Sequence, residues 1–100
     1  MNESTKYDPE LLKLSSISKA LGHPVRLYIL NKLAEMNSCC YSGDIAEELE
    51  IGRSTLSQHL KELKYVGLIQ GEIEGPYIKY CINKENWESA KKMYQKLFNI

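Results

Sequence analysis

Between Gly52 and Val66 the chain carries Arg53, Ser54, Thr55, Leu56, Ser57, Gln58, His59, Leu60, Lys61, Glu62, Leu63, Lys64 and Tyr65 in succession. Leu56, Leu60 and Leu63 recur at helical spacing, so a helix here turns its leucines one way and Ser54, Ser57, Gln58, Lys61 and Lys64 the other. That outward face combines small hydroxyls, an amide and cations. Hydroxyls let a helix approach a double-helical groove closely, and the Gln58 amide offers the paired donor and acceptor that adenine's edge requires. Ser54, Thr55, Ser57, Gln58 and His59 are therefore candidates for base and phosphate contact, and Arg53, Lys61 and Lys64 for phosphate. An ordinary solvated helix face is the plain alternative. His59, one residue before Leu60, could equally bond a phosphate or pack at the edge of the core.

The cysteines are the other reactive side chains. Cys39 and Cys40 are adjacent and Cys81 makes an odd third, poor material for a disulfide framework and consistent with a reducing compartment. Cys39 and Cys40 could bind trivalent arsenic, close a small disulfide ring or sense oxidants. They could also be two small residues in a connector, with Cys81 packed in a strand. His23 reads as a helix-start residue. No Ser-His-Asp or Cys-His constellation, glycine-rich phosphate loop or paired histidine spacing is present, so the chain is expected not to be an enzyme and to need no cofactor.

The elements that would position these groups follow from turn residues and periodicity. Asp8-Pro9 starts a first helix with Leu11, Leu14, Ile17 and Leu21 at helical spacing, stopped by Gly22. His23-Pro24 opens a second with a broad stripe from Val25 to Ala34, ended at Asn37-Ser38. After the connector Cys39-Cys40-Tyr41, Ser42 could cap a short third helix burying Ile45, Ala46 and Leu49, broken by Gly52. The helix from Arg53 to Val66 follows and is closed by Gly67. Leu68–Glu74 and Tyr77–Ile82 alternate about Glu74-Gly75-Pro76 as a two-stranded ribbon. Asn83 caps a last helix carrying Trp87, Ala90, Met93, Tyr94, Leu97 and Phe98.

This order, mainly α with a small β-hairpin, is that of a winged helix-turn-helix. With 100 residues and 43% hydrophobic content, the chain can bury one core, so residues 1–100 are expected to form a single domain with about 1–7 frayed. The N-terminus has no apolar signal core and no stretch approaches the ~18–20 residues of a membrane span, which points to the cytoplasm. Thirteen Lys+Arg against 13 Asp+Glu give zero formal charge, but the average hides an asymmetry. Asp44, Glu47, Glu48 and Glu50 lie just before the reading helix, whereas Arg53, Lys61 and Lys64 face only Glu62 within it.

At two segments the sequence resembles the ArsR (ArsR/SmtB) bacterial and archaeal transcriptional repressors, over about Ser16 to Tyr80. The run from Ala20 to Leu33, ALGHPVRLYILNKL, is similar to the family's LGxPxRLxIL second-helix signature. The run from Ser54 to Ile69, STLSQHLKELKYVGLI, is similar to its SxxSxHLxxLxxxGLI recognition-helix signature. The resemblance implies a homodimer joined by its first and last helices that binds double-stranded operator DNA, represses transcription and is released by a signal.

Three departures qualify it. The Cys-x-Cys-Asp run of the arsenic and lead branch is replaced by Tyr41-Ser42-Gly43 before Asp44, and the zinc and nickel branch's last-helix histidines are absent from Asn83 to Ile100. No metal site of either usual form is therefore expected. The wing carries Glu72 and Glu74 where cations are common, leaving Tyr77 and Lys79 as its candidates for the DNA backbone. Those acids and the neutral total charge favour an alternative, a winged-helix protein-interaction module that does not bind DNA.

Overall fold

The computed structural model describes residues 6–100; of the fraying expected over about residues 1–7, the part on residues 1–5 lies outside them. The elements run α1 (Pro9–Leu21), α2 (Pro24–Met36), β1 (Cys40–Tyr41), α3 (Ser42–Leu49), α4 (Arg53–Tyr65), β2 (Ile69–Glu74), β3 (Tyr77–Ile82) and α5 (Lys84–Phe98). This is the winged helix-turn-helix order expected from the sequence. The ribbon gains a strand, however: the sheet is three-stranded in the order β1-β3-β2. Cys40 pairs with Tyr80 and Tyr41 with Lys79, and two extended residues are too few for alternation to betray a strand in advance.

Side chains set several helix starts. Asp8 Oδ1 accepts from the Glu10 N–H at 2.7 Å, His23 Nδ1 from the Val25 N–H at 3.1 Å, and Asn83 Oδ1 from the Asn86 N–H at 3.1 Å. Each satisfies a backbone donor that the first helical turn leaves without an intrahelical partner. Ser42 does not cap α3 as expected: it is that helix's first residue, after an extended Tyr41 that makes no side-chain cap.

The core is built mainly from one stripe per helix. Leu14 and Ile17 of α1, Ile29, Leu30 and Leu33 of α2, Ile45 and Ala46 of α3, and Leu56, Leu60 and Leu63 of α4 meet Leu68, Ile69, Ala90 and Met93. Full burial of one such aliphatic side chain stabilises by about 1.5–3 kcal/mol. Leu49 is half-buried against this cluster. The wing tip contributes nothing to it, since Ile73 is 84% and Ile78 41% exposed.

Two backbone positions set the direction of α4. α3 ends before Gly52: Glu50 takes the left-handed conformation at φ 54°, and the Ile51 N–H returns to the Ala46 carbonyl at 3.2 Å. The left-handed residue three positions before α4 makes the turn, and Gly52 serves as the extended residue that starts α4. At the other end Gly67 sits at φ 81°, with the Leu68 N–H bonded to the Leu63 carbonyl at 3.2 Å. The Asn86 Nδ2 donates to the Gly67 carbonyl at 2.9 Å, tying the exit of α4 to the start of α5.

Candidate nucleic-acid interface

Burial of Leu56, Leu60 and Leu63 fixes the rotation of α4 about its axis. Ser54, Thr55, Ser57, Gln58, Lys61 and Lys64 are consequently exposed together. Neither Lys61 nor Lys64 makes an ion pair among the described residues. Arg53 is exposed at the N-terminus of α4 but folds back over α3. A Cβ placed on Gly43 would lie 3.3 Å from its guanidinium, so the glycine leaves room for that side chain.

His59 stands apart from this face. It is half-buried, its Nδ1 accepts from Arg26 Nε at 3.1 Å, and its ring centroid lies 4.3 Å from that of His23. Arg26 Nη1 also donates to the Ala20 carbonyl at 3.3 Å. A partly buried imidazole between a guanidinium and a second histidine disfavours a further positive charge, and desolvation, then His23, then Arg26 hold the His59 pKa below the ordinary imidazole range. The core-edge alternative for His59 thus has a specific partner in Arg26. Helical spacing alone gives no sign of this role for Arg26, although it is the arginine of the second-helix signature.

The wing's charge is compensated internally. Lys79 Nζ lies 3.1 Å from the Glu74 carboxylate and 3.8 Å from that of Glu72, while the Tyr41 hydroxyl donates to Glu74 Oε1 at 3.1 Å. Lys79, then the Tyr41 hydroxyl, hold the Glu74 carboxyl below its usual range. Lys79, one of the expected phosphate ligands, is therefore already engaged by carboxylates. Tyr77 is 64% exposed and meets Tyr41 edge-on at 5.9 Å. Glu48 of the acidic run before the turn is likewise occupied, bonded by the Tyr28 hydroxyl and Lys32 of α2.

The cysteines require a correction. Cys39 bonds not to adjacent Cys40 but to Cys81, as a disulfide with Cα atoms 4.3 Å apart, and so Cys81 does more than pack in its strand. Antiparallel β1–β3 pairing carries Cys39 opposite Cys81, whereas alternation sends Cys40 to the other face of the strand, where it is buried and free. Among the described residues no cluster of three or more His, Cys, Asp or Glu side chains could hold a metal ion.

A second surface lies away from α4. Ile17 and Leu21 of α1, Leu27 and Leu30 of α2, and Trp87 and Tyr94 of α5 line an apolar groove of about 600 Å³. Leu11, Leu97, Phe98 and Ile100 are each more than half exposed on the first helix and at the C-terminal end.

Comparison with known proteins agrees with the architecture. A family profile described as "Bacterial regulatory protein, arsR family" matches residues 23–70, which takes in the second signature, the first from its histidine onward, and the helix-turn-helix. The uncharacterized HTH-type transcriptional regulator MJ1325 of Methanocaldococcus jannaschii is 36% identical over 85 residues, covering 85% of this chain and 94% of that one. The transcriptional repressor SdpR of Bacillus subtilis is 33% identical over 70 residues, covering 70% and 76%. Among solved structures, HlyU from Vibrio cholerae superposes with a TM-score of 0.73 at 25% identity, covering 94% of this chain and all of that one.

Proposed function

The chain belongs to the arsR family of bacterial regulatory proteins, and from that premise we propose that it is a homodimeric transcriptional repressor that reads double-stranded DNA through α4. The observation that carries the reading is the single exposed face holding Ser54, Thr55, Ser57, Gln58, Lys61 and Lys64. Small polar groups at its N-terminal end suit base edges, and the two lysines nearer its C-terminal end suit flanking phosphates. Arg53 and Tyr77 add backbone contacts at its borders. His59 and Lys79 contribute less directly, because Arg26 holds the first and two carboxylates hold the second.

Dimerisation through α1 and α5 is supported by the groove between those helices and α2 and by exposed Leu11, Leu97, Phe98 and Ile100. An apolar surface of this kind favours association, and a twofold axis would space two recognition helices by roughly one turn of duplex, about 34 Å. Release by an effector requires a ligand or modification that prefers a mis-spaced dimer. Catalysis has no place in this reading. No described helix is long and apolar enough to cross a membrane, and the cytoplasm, where DNA is accessible, is the proposed site of action.

The protein-interaction alternative rests on Glu72, Glu74 and zero net charge, and the pairing of both carboxylates with Lys79 weakens it. Fluorescence anisotropy decides between them: purified protein is titrated onto the DNA immediately upstream of its own gene and onto a scrambled duplex, at fixed ~150 mM salt. Preference of roughly 100-fold or more for the native fragment is expected. Equal weak binding to both, extended over promoter fragments of the neighbouring genes, would overturn the repressor reading in favour of a protein partner.

A further inference from the structure

Cys39 and Cys81 are 42 residues apart in sequence, and what lies between them is the whole reading apparatus. The covalent ring contains α3, the turn, α4, β2 and the wing loop, while α1, α2 and α5 lie outside it. The bond sits one register step beyond the Cys40–Tyr80 pair, at the end of a strand pairing only two residues long. α3 begins immediately after β1, and the wing tip lies at the opposite end of β3. The disulfide thus fastens the entry to the helix-turn-helix to the central strand of the wing, adding a covalent link to a two-residue ladder and the packing of Cys40, Ile45 and Ala46 with Tyr80 and Ile82.

The bond is also reachable. Cys39 is exposed and Cys81 buried, and both line an open cavity of about 480 Å³ whose walls include Asn37, Lys84, Trp87 and Glu88. That volume admits a small organic molecule, and Lys84 and Glu88, one cation and one anion in the same lining, suit one that carries both a carboxylate and an amine.

We propose that the Cys39–Cys81 disulfide is a thiol-exchange site for low-molecular-weight amino-acid thiols, and that its reduction loosens the reading half and weakens DNA binding. This rests on the DNA-binding reading above. A thiolate attacks the exposed Cys39 Sγ and the Cys81 thiolate leaves, taking up a proton. A second thiol attacks the mixed disulfide and frees the Cys39 thiolate, which is protonated in turn. Two thiols become one disulfide, and two electrons and two protons pass to the protein. Oxidation by the corresponding small disulfide reverses both steps. The oxidised protein presents α4 and the wing in a pre-set relation, which lowers the ordering cost of binding.

The test uses the full chain, oxidised and then treated with millimolar glutathione without denaturant. Peptide mapping after acid quench and alkylation is expected to show Cys39 joined to Cys81 with Cys40 alkylated, and glutathione to yield three alkylated thiols. Reduction should lower the melting temperature by at least about 5 °C and weaken binding to the upstream fragment by at least about fivefold, with Cys39→Ser fixed at the reduced values under either treatment. Cys81→Ala serves as the second variant, and agreement between the two separates loss of the bond from damage at one position. A Cys39–Cys40 link, resistance to glutathione until the protein unfolds, or equal DNA affinity in both redox states would each overturn the proposal. Absence of DNA binding in both states would instead overturn the repressor reading and its redox control, while mapping and melting still decide the exchange site.

Discussion

Arg26 of α2 donates from Nε to His59 Nδ1 of α4 at 3.1 Å, across 33 positions of sequence. Because Nδ1 accepts, the neutral ring must carry its proton on Nε2. The same guanidinium bonds the carbonyl of Ala20 at the end of α1, so one side chain links the junction of the first two helices to the reading helix. In the proposed reading His59 bears on DNA mainly through the placement of α4.

The first expectation concerns acid. The His59 pKa in the folded protein lies below its reference value of 6.5, so the unfolded chain binds the proton more readily than the fold does. Stability from this group is complete above about pH 6.5 and is lost as pH falls below that value toward the lower folded pKa. The urea midpoint should therefore drop between pH 7.5 and pH 5.5, and His59→Gln should remove most of that drop. Glu48 and Glu74, with carboxyl pKa values held below 4.5, act only in a more acidic window. An identical slope in wild type and His59→Gln would show that the histidine is not the group responsible.

Replacing Gln58 and Ser57 by alanine tests base reading. Both are exposed, so their truncation should leave the melting temperature within a degree or two. Specific affinity should fall by about 1–3 kcal/mol for each base-edge interaction removed, while affinity for scrambled DNA changes little. Competition anisotropy with both duplexes reads this directly, and parallel losses on the two would reassign these residues to the backbone.

Lys61→Ala and Lys64→Ala should behave oppositely. Neither lysine is paired within the described protein. Each substitution is expected to weaken specific and scrambled DNA alike and to reduce the slope of log affinity against log salt by about 1. A salt titration from about 50 to 200 mM would expose an unchanged slope, the result contrary to a phosphate contact.

In the wing, Glu74→Gln removes the carboxylate closest to Lys79 and frees the lysine for solvent or phosphate. DNA affinity should rise severalfold at low salt and the gain should shrink as salt screens it. The pair is exposed, so the melting temperature should change little. A loss of affinity would mean that the Tyr41–Glu74 hydrogen bond orders the wing more than the charge opposes DNA.

Gly67 supplies a test of the scaffold. Its φ of 81° is costly for any side-chain-bearing residue, and a Cβ would come within 2.8 Å of Asn86 Nδ2. Gly67→Ala should destabilise by more than about 1 kcal/mol and, by disturbing the exit of α4, reduce specific DNA affinity. Thermal unfolding measures the first effect, and an unchanged melting temperature would show that the α4–α5 junction relaxes freely.

Patterning along the chain is enough to define the five helices, the β2–β3 hairpin and the inward face of α4. Leu56, Leu60 and Leu63 at helical spacing leave only one rotation that buries all three, and this assigns Ser54, Ser57, Gln58, Lys61 and Lys64 to the surface. Proline and asparagine starts and the glycine exit at Gly67 are equally local, because each acts through backbone groups within a few residues. Position in space is not local. Strand β1 exists only because β3 is beside it, and the Cys39–Cys81 bond follows from the register of a pairing that two residues could not announce. Glu50 rather than Gly52 makes the left-handed turn, since any residue can be forced there when the packing of Ile51 repays the strain. The engagement of His59 by Arg26 and of Lys79 by Glu72 and Glu74 likewise arises only in three dimensions. Both depend on side chains from separate elements or strand positions meeting at a few ångströms, a fact that periodicity along one helix or strand does not contain.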